Sequence, residues 1–422
     1  MTLGDSRVAA WRNQIFIAAW TLYAGYYVCR KDIGTSIGNG SSHLALELAC
    51  FGITYAIGQF VGGALADDIS ARYTALAGAL ISVGSTVLLA WAPPHVGLIL
   101  QLGNGFGQGL GWPSLLKLIG TWFGRGERDR VLGWWSASYI LGGFLASALI
   151  EWLATRSGTP AVDPLHLVYL VSPGILLCAA LFFVRQVKDL PRAPEFEGVA
   201  GEPIQAGRAP WKSVAGNRSI RYIAGMYFFL KMTRYTLLFW LPHYFISSIG
   251  YSTYTATRTA SYFEIFGVLG PIAAGYATQR SFGENRMQLG AGMLYMLAFI
   301  CLMHPLLAAC GWFGMILSIS MMGILIHGSD MLMSGMAVLD AVPEALHGRA
   351  IGFVNGIGSI GQTISPLLAT LFVAQFGWTK LFDLFVFLTL ISGVICTLGV
   401  RTPTLNPPRP NRSVLESSEL PL

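Results

Sequence analysis

The chain has 422 residues, of which 54% are hydrophobic and only 11% charged, with a formal charge of +6 and a mean hydropathy of +0.56. A soluble domain carries roughly 25% charged residues because its surface must face water, so a soluble fold is excluded. The polar–apolar alternation of a membrane β-barrel is absent as well.

Apolar stretches recur along the chain at about 11–35, 44–66, 74–92, 96–120, 129–153, 165–186, 219–248, 255–279, 286–308, 312–340, 348–374 and 379–401. Each is roughly 20 residues or more, enough to cross about 30 Å of hydrocarbon as a helix. The expected fold is therefore an all-α membrane protein with twelve transmembrane helices in two six-helix bundles. Residues 1–186 form the first bundle and 219–401 the second. Residues 187–218, rich in Pro, Gly and charge, read as a cytoplasmic linker. The tail 402–422 reads as disordered.

Placing both termini in the cytoplasm leaves nineteen of the 27 Lys and Arg on the inner side and three, Arg156, Arg258 and Lys380, outside. That bias fixes the orientation, and it makes the net charge a signal of topology, with no support for nucleic-acid binding. Five cations fall inside the spans: Arg30, Lys31, Lys117, Lys231 and Arg234. No cleavable signal peptide is evident, and the first span is expected to direct insertion.

In the first span, YAGYYVCRK carries Arg30 and Lys31, with Tyr23, Tyr27 and Arg30 on one helical face at i, i+4 and i+7. In the seventh, KMTRYTLLFWLP carries Arg234 beside Tyr235. An Arg at a helix centre costs about 2.5–3.5 kcal/mol to insert, so it faces a water-filled cavity or a partner. The first and seventh spans are equivalent elements of the two halves. Two unshared planar forks facing one cavity suit a phosphate, which accepts bidentate hydrogen bonds. The structural alternative is pairing with an acid such as Asp32 or Glu264, or snorkelling to an interface.

The loop after the second span, GALADDISARY, runs from Gly63 to Tyr73. It resembles the signature loop of the major facilitator superfamily. Asp67 and Arg72 are expected to form a charge lock that closes the inner gate. The matching loop GYATQRSFGENR has Thr278 where an acid is expected, so the lock is asymmetric. The halves echo each other again at Arg130, Gly133 and Gly142 against Arg349, Gly352 and Gly361, as a rocking transporter built on duplicated halves requires.

In the tenth span His327 and Asp330 lie three apart and share a helix face. They permit proton coupling, form a satisfied buried pair or tie to a neighbouring helix; the sequence leaves all three open. Gly103, Gly107 and Gly111 form a stripe for close helix contact. GTSIG at 34–38 and GIGSIG at 356–361 match nucleophile and dinucleotide patterns without the strands those sites need, and read as packing. The six cysteines lie in or beside apolar spans without a CxxC and read as small packing residues. No metal or cofactor is called for, and no nucleophile–base set appears, so the chain is not expected to be an enzyme.

The strings YAGYYVCRK, NGFGQGLGWPSLLKLIGTWF and RYTLLFWLPHYF resemble the organophosphate:phosphate antiporter family from about Arg12 to Arg401. Its members include glycerol-3-phosphate and hexose-6-phosphate exchangers, and a hexose-phosphate sensor. The resemblance implies that Arg30 and Arg234 bind phosphate with Lys31 beside them, and that Glu264 exchanges ion pairs during rocking. The chain departs from the family at Gln59, where relatives place Lys, at Tyr139, where they have His or Asn, and at Phe239, where an Asp is expected.

The function expected is secondary active exchange of a sugar phosphate or glycerol phosphate for inorganic phosphate, by a monomer in the lipid bilayer of a bacterial inner membrane. The alternatives are a proton-coupled symporter of another organic anion and a transporter-like receptor.

Overall fold

The computed structural model describes residues 3–30, 44–156, 164–187, 210–280 and 285–400. Twelve long helical segments run through them. They are α1 Leu3–Arg30, α2 Leu44–Leu65, α3 Ala71–Leu89, α4 Pro94–Trp122, α5 Arg125–Arg156 and α6 Pro164–Gln186. The remainder are α7 Arg218–Tyr244, α8 Thr253–Gly267 continued by Leu269–Arg280, α9 Arg286–Ala309, α10 Trp312–Met331, α11 His347–Phe376 and α12 Leu381–Gly399. No strand occurs among the described residues. Lys31, Asp32, GTSIG, residues 188–209 and the tail fall outside them, and of the linker a short helix, Trp211–Ala215, is described.

Local chemistry sets the ends. Asn217 and Ser252 cap α7 and α8 by accepting from Ile220 N and Thr255 N. Pro94 opens α4, where a missing N–H costs nothing. The interruption in α8 precedes Pro271, which has no N–H to give the preceding turn. Three π turns occur among the described residues, and those at Ala66–Ser70 after α2 and Leu332–Ala337 after α10 shift the helical register of the residues beyond them, while the third, Phe245–Ile249, closes α7.

Helix α1 packs on α5 and α6, α3 on α4 and α6, and α2 on α4. Likewise α7 packs on α11 and α12, α9 on α10 and α12, and α8 on α10. Helices α1–α6 meet α7–α12 along two seams, α2 with α11 and α5 with the second part of α8. Glycines allow both. A Cβ on Gly133 would stand 2.6 Å from the Pro271 carbonyl, and one on Gly348 would stand 2.5 Å from that of Gly63. The echoed glycines do equivalent work. Gly133 meets α8 as Gly352 meets α2, and Gly142 meets α1 as Gly361 meets α7. Gly107 presses on Gly78 of α3, and Gly356 and Gly358 admit the Phe60 and Tyr227 rings. All six cysteines are free thiols.

The outer surface is apolar. Leu88, Ile99, Leu306, Phe313, Leu367 and Phe387 are each more than half exposed, a belt that only lipid covers without penalty. Seven helical stretches are long and apolar enough to cross a membrane by length and composition alone, one of them joining α2 and α3. The helices that fall short are α1, α4, α7 and α8. They carry charged and amide side chains (Arg30, Gln108, Lys231, Arg234, Glu264), and three of the four turn such groups toward the centre of the bundle.

Candidate functional site

Helices α1, α2, α4, α5, α7, α10 and α11 converge on a small polar cavity. Its free volume is about 10 Å³, room for one water, so a larger ligand enters only when the helices part. Helix α1 contributes Tyr23 and Tyr27, as their spacing predicts, while α7 contributes Tyr227, Lys231, Arg234 and Tyr235 from one face. Tyr55, Trp112, Tyr139, Asp330 and Asn355 complete the wall.

Arg30 ends α1 beside this cavity. Its Cζ lies 4.3 Å from the centre of the Tyr27 ring and 4.6 Å from that of Tyr55, so two π faces hold the cation. Its Nε donates to Gln108 Oε1 at 3.2 Å. Gln108 is fixed in turn, donating to Tyr26 O at 3.1 Å and Ser82 Oγ at 3.0 Å. The distinctive QGLGWP string thus supplies a support for Arg30. One guanidinium nitrogen, Nη2, is buried without a partner.

Arg234 behaves differently, and here the structure corrects the expectation of two unshared cations. Its Nη1 donates to Asp330 Oδ2 at 2.6 Å. Tyr227 donates to Asp330 Oδ1 at 2.5 Å and Tyr139 to Oδ2 at 3.2 Å. Asp330 is 1% exposed, and a carboxylate so buried is held only by such a set of donors. The acid that pairs Arg234 is therefore Asp330, and Asp32 lies outside the described residues. Between the two arginines lies Lys231, buried, with Ser359 Oγ at 3.1 Å from its Nζ.

His327 is buried against Phe263 and Tyr139, and its Nδ1 lies 2.8 Å from Gly323 O. It shares Tyr139 with Asp330 but makes no bond to that acid among those described. Gln59 is fully buried in the α2–α11 seam with both amide atoms unpartnered, and Glu264 is half-buried on α8; neither lines the cavity. A larger cleft, about 360 Å³, opens between α9 and α12 around Gln288 and Tyr295. It has no charged lining group and so nothing to hold an anion.

Where α2 passes into α3, charges lock the two seams. The expected Asp67–Arg72 pair does not form. The π turn carries Asp67 toward α11, where it accepts from the backbone N of Gly348 at 2.9 Å and of Arg349 at 2.8 Å, and from the Arg349 side chain at 3.3 Å. Lys117 Nζ also lies 2.6 Å from it. Asp68 takes Arg349 Nη2 at 2.6 Å. Arg72 instead donates to Val184 O at 2.6 Å, near the carboxyl end of α6, where the helix leaves carbonyls free. On the other seam, Arg286 pairs with Asp129 at 2.7 Å and with Asp340, and Arg128 pairs with Asp340 at 2.5 Å. The lock is asymmetric, as Thr278 implies: that residue spends its hydroxyl on Gly275 O, and α5 and the short helix Val338–Ala341 supply the acids.

Sequence reasoning placed the tyrosines of α1, Tyr139, Tyr235 and the two arginines, and all gather here. It left out Lys231, Tyr55, Trp112, Tyr227, Asn355 and Gln108. Lys231 alone had a readable signal, an intramembrane cation three residues before Arg234 and hence on its face.

The family model of the Major Facilitator Superfamily matches residues 14–333 and 306–420. A glycerol-3-phosphate transporter of Bacillus subtilis is 27% identical, covering 96% of this chain and 95% of its own. A membrane sensor protein, UhpC, of Escherichia coli is 26% identical over 97% of this chain and 95% of its own. A mouse glucose-6-phosphate exchanger, SLC37A2, is 25% identical over 79% and 74%. Among solved structures, the proton:xylose symporter XylE superposes with a TM-score of 0.71 at 15% identity, covering 94% of this chain and 97% of that one. The chain belongs to the Major Facilitator Superfamily and is an integral membrane protein. Its sequence relatives bear out the resemblance to the organophosphate:phosphate antiporter family.

Proposed function

We propose that this member of the superfamily exchanges an organic phosphate, a sugar phosphate or glycerol phosphate, for inorganic phosphate. The observation that carries the reading is the charge at the cavity: among the described residues, Lys231 and Arg234 in its wall and Arg30 beside it stand against one acid, Asp330. A dianionic phosphate ester offsets the excess of two positive charges, and guanidinium forks bind its oxygens in pairs. The ester's carbon portion lies against the rings of Tyr23, Tyr27, Tyr139 and Tyr235. The relatives named for glycerol-3-phosphate and glucose-6-phosphate support the same class of ligand.

Exchange follows from electrostatics. Without an anion, like charges and their waters oppose closure of the cavity; with one, the halves close over it. Residues 1–186 and 219–401 serve as the rocking bundles, joined by 187–218, with both termini and the α2–α3 loop in the cytoplasm. In this orientation the locked seams close the inner side, and their ion pairs, including Asp67 with Arg349, break as the inner side opens.

The test is uptake of radiolabelled phosphate into proteoliposomes with and without internal phosphate. The expected result is counterflow that unlabelled glycerol phosphate or sugar phosphates suppress, and that is lost on replacing both Arg30→Ala and Arg234→Ala. Normal exchange by that double variant would overturn the reading. Binding without flux would transfer the site to a receptor, as the name of the relative from Escherichia coli suggests for that protein.

A further inference from the structure

The three cavity cations are not equivalent. Arg234 gives Nη1 to Asp330 at 2.6 Å, so much of its charge is already answered within the protein. Among the described residues, no carboxylate lies within 4.0 Å of Lys231 or Arg30. Lys231 is 3% exposed, and its one bonded partner is a neutral hydroxyl, Ser359 Oγ at 3.1 Å. That hydroxyl is itself committed, donating to Asn355 O at 2.7 Å. A buried ammonium left with a neutral partner is costly, and an anion removes the cost.

Geometry says where such an anion sits. The Tyr55 ring neighbours both unanswered cations, with Arg30 Cζ 4.6 Å and Lys231 Nζ 5.8 Å from its centre. Arg30 Nη2 is buried there without a partner. Lys231 lines the same cavity as Tyr55.

Resting on the phosphate reading above, we propose that Lys231 is a direct anion contact, and that the phosphate group sits beside Tyr55 between Arg30 and Lys231. Arg234, tied to Asp330, forms the flank of the site. Lys231 then supplies the second net charge and sets the preference for a dianion over a monoanion. An ammonium contact is a point charge, so this half of the grip answers total charge, while the Arg30 fork answers oxygen geometry.

The experiment is competition against radiolabelled phosphate bound to purified, detergent-solubilised protein. The competitors are unlabelled inorganic phosphate and dimethyl phosphate, a permanent monoanion. In Lys231→Met the affinity for phosphate should fall on the order of tenfold or more, as expected for losing a charge-assisted hydrogen bond. The affinity for dimethyl phosphate should change by less than about threefold, because a monoanion needs only one of the two cations. Lys231→Arg should restore most of the phosphate affinity. An equal loss for both anions, or none for either, would overturn the assignment. Should Lys231→Met fail to fold, acetylation of Lys231 in the unaltered protein, followed by mass spectrometry, decides the matter. Phosphate should slow that acetylation, and an unchanged rate would overturn the proposal. An unaltered protein that binds no phosphate would remove the phosphate reading, and this assignment with it.

Discussion

The locked end of the bundle and the central cavity both concentrate charge, yet they balance it in opposite ways. At the lock, Asp67 and Asp68 face Arg349 and Lys117, while Asp129 and Asp340 face Arg286 and Arg128. Arg349 with Asp67 and Asp68, Arg286 with Asp129 and Arg128 with Asp340 join the two halves, while Lys117–Asp67 and Arg286–Asp340 lie within one, and the protein answers its own charges. At the cavity, among the described residues, one acid stands among three cations, Lys231 and Arg234 in its wall and Arg30 beside it, and under the proposed function a ligand answers the shortfall. Matched charges hold a conformation, whereas unmatched charges wait for a substrate to complete them. A transporter needs both, because the energy that closes the empty protein at one end must be comparable to what a ligand supplies at the centre.

Breaking the cavity's one internal pair should have the largest effect. Arg234→Met strands Asp330 as a buried, unpaired carboxylate, and stability in detergent should fall by about 3–5 kcal/mol. Adding Asp330→Leu should return most of it, since an apolar pair of similar volume replaces a buried ion pair at little loss. Both are read from chemical unfolding of the purified protein. Equal destabilisation of the single and double variants would mean that the pair is not what holds these helices.

A smaller effect is expected at the lock. Asp67→Asn weakens charge-assisted bonds to Lys117, Arg349 and two backbone N–H groups, of about 1.5–3 kcal/mol each at most. The fold should survive while the closed conformation loses population. Spin labels on the exposed Tyr73 and Tyr276, on α3 and α8, should report a new, longer distance. An unchanged distance distribution would show that the other seam suffices.

The smallest effect belongs to charges outside both regions. Lys380 and Asp383 lie 3.3 Å apart with both side chains more than half exposed. Lys380→Ala should alter stability by no more than about 0.5 kcal/mol and leave the proposed exchange untouched. A larger change would erase the distinction between buried and exposed pairs on which the comparison rests.

Much of this was legible along the chain. Twelve apolar stretches became twelve helices because burying a backbone in lipid forces each segment to satisfy its own hydrogen bonds. The face shared by Tyr23, Tyr27 and Arg30 followed from helical spacing alone, and the same rule applied to α7 would have added Lys231 to the site. Tyr55, Trp112 and Asn355 carried no such mark. Each is an ordinary polar or aromatic residue of its helix, and becomes part of a site only when α2, α4 and α11 turn those faces to one point.

What the sequence determined by itself is the set of helices and the cations it commits to the membrane interior, since both depend on composition and on spacing within one helix. Which acid answers which cation was decided only in three dimensions. Arg234 finds Asp330 across 96 residues of chain, and Arg349 finds Asp67 across 282. Those pairings depend on how far each helix is rotated and slid against its neighbours, which the glycine seams and the π turns after α2 and α10 set together. Spacing along one helix carries no information about that rotation, so Asp67 could be read as the partner of nearby Arg72 when the fold had turned it to face Arg349.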